Sequence, residues 1–152
     1  MITRGRFRFS LETVLRVRIL REEQARLELV QALALLERHR LSLKETERLL
    51  AEEMHAWRSA MPRAVTIQDY RIRAGYLEHL KGAIQDWQLR INRQKAEVEA
   101  KQRRVQHLYR ERRLLANLRD KQYLRFKREL ARGLEKEAEA AVLSRWPGNA
   151  IF

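Results

Sequence analysis

Residues 61–69 read MPRAVTIQD, and the fold turns on how they are read. Pro62 stands between two long runs that contain no other proline until Pro147. Proline has no backbone N–H and cannot sit inside a helix without breaking it. Thr66, followed three residues later by Asp69, spells a helix start. A threonine hydroxyl at the N-cap accepts from the third helical N–H, and Asp69 takes the place where Glu or Gln is usual. Val65 and Tyr70 occupy the two hydrophobic-staple positions. The stretch therefore predicts the end of one helix and the beginning of another.

Working back from Pro62, leucines recur every seven residues: Leu15, Leu29, Leu36, Leu43 and Leu50, with Glu22 and Trp57 on the same line. A second line, Ile19, Arg26, Leu33, Arg40, Glu47 and Met54, interleaves with it. Two interleaved lines at this spacing predict a coiled-coil seam. Ser10 is the expected N-cap, with Glu12 placed to complement the helix dipole. Forward of Thr66 the line runs Tyr70, Leu77, Ile84, Ile91, Val98 and Val105, partnered by Leu80, Trp87 and Leu108. It continues through Leu115, Leu118, Phe126, Leu130 and Leu134 until Pro147 and Gly148 stop it. Gly75, Gly82 and Gly133 are tolerable costs within such a helix.

The expectation is an all-α fold: residues 1–152 as one long antiparallel two-helix coiled-coil hairpin. Helix 1 covers about 11–60, the turn 61–66 and helix 2 about 67–145, with the C-terminal helix overhanging its partner. Folding about residue 64 sets Leu11 opposite roughly residue 117.

Composition agrees. The chain of 152 residues has 5 Gly, 2 Pro, no Cys and 35% charged residues, with little turn punctuation. Without cysteine there are no disulfides or thiolate metal sites, which fits a reducing compartment. Arginines interrupt the stretch after the basic N-terminus, so it does not read as a signal peptide. No run of about 18 apolar residues is present to span a bilayer. The reading is a cytoplasmic chain without direct membrane insertion.

The net charge of +13 is unevenly spread. Residues 1–21 hold six Arg against one Glu, and residues 101–136 hold thirteen Lys and Arg against four acids. The remainder is close to neutral. Hairpin pairing brings the two basic stretches together at the open end. Phe7, Phe9, Tyr109, Tyr123 and Phe126 interleave with this charge. That pattern suits a nucleic-acid-binding coiled coil, an acidic protein partner or a solvated flank.

No constellation supports catalysis. His39, His55, His79 and His107 show no mutual helical spacing, and Glu52-x-x-His55 is half of a di-iron helix motif without its other half. There is no phosphate-binding loop, dinucleotide turn or nucleophile elbow. No enzyme activity, cofactor or metal is expected.

The start of helix 2 carries more apolar surface than one partner needs. Tyr70, Ala74, Leu77 and Ile84 form one stripe; Ile72, Tyr76, Leu80, Ala83 and Trp87 form a second, overlapping one. Leu80 and Trp87 also fit the hairpin seam. Tyr76 and Ala83 lie further round, where an exposed apolar strip would mark a protein-binding face or a dimer contact.

Three stretches resemble the FliJ family of flagellar export proteins: FRFSLETVLRVRILREEQARLEL at 7–29, VTIQDYRIRAGYLEHLKGAI at 65–84 and ERRLLANLRDKQYLRFKRELARGLEKEAEAA at 111–141. The Phe-x-Phe opening, Thr66 and Tyr76 are the specific part. The resemblance implies a stalk of the flagellar type III export apparatus, peripheral at the cytoplasmic side of the cell membrane. Its implied partners are the export ATPase hexamer, the cytoplasmic domain of the membrane export gate and the export chaperones, with no nucleic acid. It assigns Tyr76, Leu80, Ala83 and Trp87 to the gate. The basic end, including Arg16, Arg18, Arg110, Arg112 and Arg113, is assigned to the ATPase.

Overall fold

The computed structural model describes residues 6–60 and 66–146. It contains two helices, α1 (Glu12–Ala60) and α2 (Ile67–Arg145), packed against each other as a helical hairpin, with no strand among the described residues. Most of the expected turn, with Pro62 and Val65, lies outside the described residues, as do Pro147 and Gly148.

Both helix starts follow from local chemistry. The Asp69 N–H donates to Thr66 Oγ1 at 3.2 Å and the Tyr70 N–H to the Thr66 carbonyl at 3.0 Å, so Thr66 is the N-cap of α2. At α1 the cap lies one residue later than expected. The Leu15 N–H donates to the Leu11 carbonyl, and the Glu12 N–H donates to the Phe9 carbonyl. Ser10 therefore sits in the turn that precedes the helix rather than at its N-cap. Gly75, Gly82 and Gly133 lie within α2, and none has positive φ.

The chain divides into two compact units, through which both helices run. In the unit Glu23–Gln106, Ala32, Leu36, Ile91 and Val98 form the buried core, with Leu29 and Leu43 packed on it. The pairing is antiparallel. Trp57 meets Tyr70 edge-on at 5.3 Å between ring centroids, His39 meets Trp87 at 5.6 Å, and Gln94 Nε2 donates to the Ala32 carbonyl at 3.0 Å. Lys101 Nζ then reaches Glu28 at 3.3 Å.

The seam corrects the expectation for α1. The leading line is right: Leu29, Leu36, Leu43, Leu50 and Trp57 are buried or half-buried. The second line is not Ile19, Arg26, Leu33, Arg40, Glu47 and Met54, all of which are exposed. It is Arg18, Ala25, Ala32, His39, Thr46 and Glu53, one position back, each buried or half-buried. At Ala32 the reason is size: Gln94 of α2 lies against it and donates to its carbonyl, a close approach that a small residue permits. Elsewhere on this line the contacts are polar or aromatic: His39 meets Trp87, and Glu53 pairs with Arg73.

The other unit is Met1–Glu22 with His107–Phe152. Among its described residues Phe9, Leu15 and Leu108 are buried, and Phe7 packs on Tyr123 and Phe126 at centroid distances of 5.3 and 5.7 Å. Ion pairs also join the two helices here. Arg18 pairs with Glu111 and Arg112 with Glu22, and Arg119 Nε lies 2.9 Å from Glu12. Beyond Gly133 every described residue of α2 is exposed, which is the overhang.

Candidate functional site

Two surfaces carry the residues expected to bind partners, one in each unit.

The first lies on α2 near its start. Its four expected residues are not equivalent. Leu80 is 4% exposed and belongs to the hairpin seam. Trp87 is half-buried: one side of its ring meets His39, and the Arg90 guanidinium lies 4.7 Å from the ring centroid. Ala83 is half-buried. Tyr76 is 40% exposed and Ile72 more so. Of this stripe the exposed members are Ile72 and Tyr76, with Ala83 and Trp87 half-buried beside them. Leu80 is covered by the hairpin and supports this face from within. Ile72 was legible in the sequence as a member of the second stripe, but the family resemblance did not single it out.

Helical geometry produces this division. Tyr76 and Leu80 are four residues apart, about 40° round the axis, and Leu80 lies on the seam line that runs through Trp87. Tyr76 falls at the flank, where the antiparallel partner no longer covers it.

The second surface is the basic unit. Of the five arginines expected to face the ATPase, two are engaged within the chain. Arg18 pairs with Glu111, and Arg112 pairs with buried Glu22 while its guanidinium lies 5.2 Å from the Tyr109 ring centroid. Arg16, Arg110 and Arg113 are exposed, as are Arg8, Arg125 and Arg128. The aromatic residues among these charges differ, and Tyr109 and Tyr123 are 39% and 41% exposed. Phe9 is buried, Phe7 packs on Tyr123 and Phe126, and Lys127 Nζ lies 5.0 Å from the Tyr123 ring centroid. At the end of α2 and just past it, Val142, Leu143 and Trp146 form an exposed apolar patch.

Two carboxylates are perturbed, and both by neighbouring cations. The hydrogen bond and charge of Lys101 hold the Glu28 carboxyl below its ordinary range. Arg48 does the same to Glu45, and Glu45 in turn raises Arg48. Each is a solvent-accessible ion pair. No group of three metal-ligating side chains occurs among the described residues. Among them, too, no helix is long and apolar enough to cross a membrane.

The comparison with known families agrees with the stretches noted above. A family model described as "Flagellar FliJ protein" matches residues 7–138. That span contains α1, the start of α2 with Tyr76, and Arg16, Arg18, Arg110, Arg112 and Arg113. No curated protein and no solved structure gives a significant match. With most of its length matched, the chain belongs to the FliJ family and is a component of flagellar protein export.

Proposed function

We propose that this protein is a stalk of the flagellar type III export apparatus that joins the export ATPase to the export gate. The basic unit engages the ATPase ring through Arg16, Arg110 and Arg113. The flank of α2 carrying Ile72, Tyr76, Ala83 and Trp87 docks on the cytoplasmic domain of the membrane gate. The role is not enzymatic. It is to transmit engagement at one surface to the other and to escort export chaperones between them, at the cytoplasmic side of the membrane.

One observation carries the gate assignment. Tyr76 is a large aromatic residue that the hairpin leaves 40% exposed, whereas Leu80, one turn further on, is covered. Aromatic residues left at the edge of a packed seam are frequent anchors of protein interfaces, costing about 2 kcal/mol or more when truncated.

The test is binding of the purified gate domain, measured by calorimetry. Tyr76→Ala weakens binding by about 30-fold, equivalent to about 2 kcal/mol, and leaves the melting temperature close to that of the parent. Leu80→Ala lowers the melting temperature instead. Equal melting losses in both variants, or unchanged gate binding by Tyr76→Ala, would refute the assignment. Steeply salt-dependent binding to nucleic acid in place of gate binding would favour the nucleic-acid reading.

A further inference from the structure

The corrected seam leaves one heptad pattern of α1 outside the buried α1–α2 contact. Glu23, Val30 and Glu37 are spaced by seven, as are Arg26, Leu33 and Arg40, and the two sets interleave at three and four residues. Such a pattern forms a helix-packing strip. All six residues are exposed, and Leu27, Ala34 and Leu41 border them on the side away from the hairpin seam. Leu27 is 52%, Val30 60%, Leu33 43% and Leu41 55% exposed. This strip lies within the unit Glu23–Gln106 and includes none of Ile72, Tyr76, Ala83 or Trp87.

We propose that this strip is an interface for a second copy of the chain, packed antiparallel about a two-fold axis between residues 31 and 32. The order of charges carries the inference. The motif Glu-x-x-Arg occurs at 23–26 and again at 37–40, two heptads on, with Val30 and Leu33 between. Turning the strip end for end sets Glu23 against Arg40 of the second copy, Arg26 against Glu37, and Val30 against Leu33. Two-fold symmetry repeats each contact. The result is a small apolar centre closed at both ends by opposite charges. Parallel pairing would set Glu23 against Glu23 and Arg26 against Arg26, which is repulsive. Arg26 already interacts within its own chain, and the arrangement asks it only to bridge outward as well.

Sedimentation equilibrium of the full chain over a wide concentration range tests this, with circular dichroism as a check on folding. The parent is expected to show a reversible monomer–dimer equilibrium. Glu23→Arg sets like charges against each other at both ends of the strip and weakens dimerisation about tenfold or more. The exchange Glu23→Arg with Arg40→Glu restores opposite charges in every copy and recovers most of the affinity. Leu33→Glu abolishes the dimer without loss of helicity. A chain that stays monomeric throughout, a Glu23→Arg variant that dimerises as tightly as the parent, or a double exchange that recovers nothing would each overturn the proposal. Gate binding by Tyr76 is unaffected by any of these outcomes.

Discussion

The Glu22 carboxylate is buried in the α1–α2 seam and pairs there with the Arg112 guanidinium. Glu22 occupies a position that is leucine one and two heptads later, at Leu29 and Leu36. A buried carboxylate is costly without a partner, so the pair specifies where the two helices meet in this unit. Arg112→Met keeps most of the side-chain length and removes the charge. It is expected to destabilise the hairpin by about 2 kcal/mol, a figure kept below the fully buried case because Arg112 is partly exposed. The double variant Glu22→Leu with Arg112→Met removes both charges and should return to at least parental stability. Urea unfolding followed by circular dichroism measures both; a single variant as stable as the parent would show that the pair is dispensable.

The position of the second seam line is tested by adjacent residues. Ala32 is buried against α2 and Leu33 is exposed. Ala32→Leu should overpack the seam, displace Gln94 from the Ala32 carbonyl and cost about 1–3 kcal/mol. Leu33→Ala should cost less than about 1 kcal/mol, because little buried surface is lost. Leu36→Ala should cost about 2–5 kcal/mol. Melting at low protein concentration checks the order, which reverses for the first two if Leu33 is the true seam residue.

The basic unit separates arginines that hold the hairpin from those that face outward. Reversal of Arg16, Arg110 and Arg113 to glutamate is expected to abolish stimulation of the export ATPase while the melting temperature changes little, since all three are exposed. Reversal of Arg18 and Arg112 should instead lower stability, because Glu111 and Glu22 would then face like charges. Single-turnover ATPase assays with added stalk, alongside thermal melts, distinguish the two groups. Parental stimulation by the triple variant would remove these arginines from the ATPase contact.

Acid affects the Glu28–Lys101 contact in a definite direction. The folded-state pKa of Glu28 is lowered by the Lys101 hydrogen bond and charge. The stabilisation is therefore fully present above the ordinary carboxylate value of about 4.3 and is lost as pH falls through the lower folded value. A carboxyl-detected NMR titration should show Glu28 titrating at lower pH than in Lys101→Met, where its pKa should return toward the ordinary range. The same pKa in both proteins would show that the contact is not formed in solution.

Most of the fold was legible because it depends on local chemistry. Thr66 and Asp69 mark a helix start whatever surrounds them, since a threonine hydroxyl can bond an N–H of the following turn without tertiary help. The leucine line through Leu29, Leu36 and Leu43 and the α2 line through Leu77, Ile84, Ile91 and Val98 fixed which faces meet. The family was legible for the same reason, through short ordered stretches.

Tertiary structure decided the rest. Hydrophobicity favoured Leu33 over Ala32 as a seam residue, but the choice depends on Gln94 of the other helix, 62 residues away in sequence, which lies against Ala32 and bonds its carbonyl. The same holds for function. Tyr76 and Leu80 look alike as members of one apolar stripe, and only the position of α1 covers one and leaves the other exposed. Among the arginines, charge is identical in sequence, and the glutamates they meet across the seam separate structural cations from those open to a partner. Periodicity is a property of one helix and can be read from it alone; which side of a periodic strip is buried is a property of two helices, set by volume and charge on both.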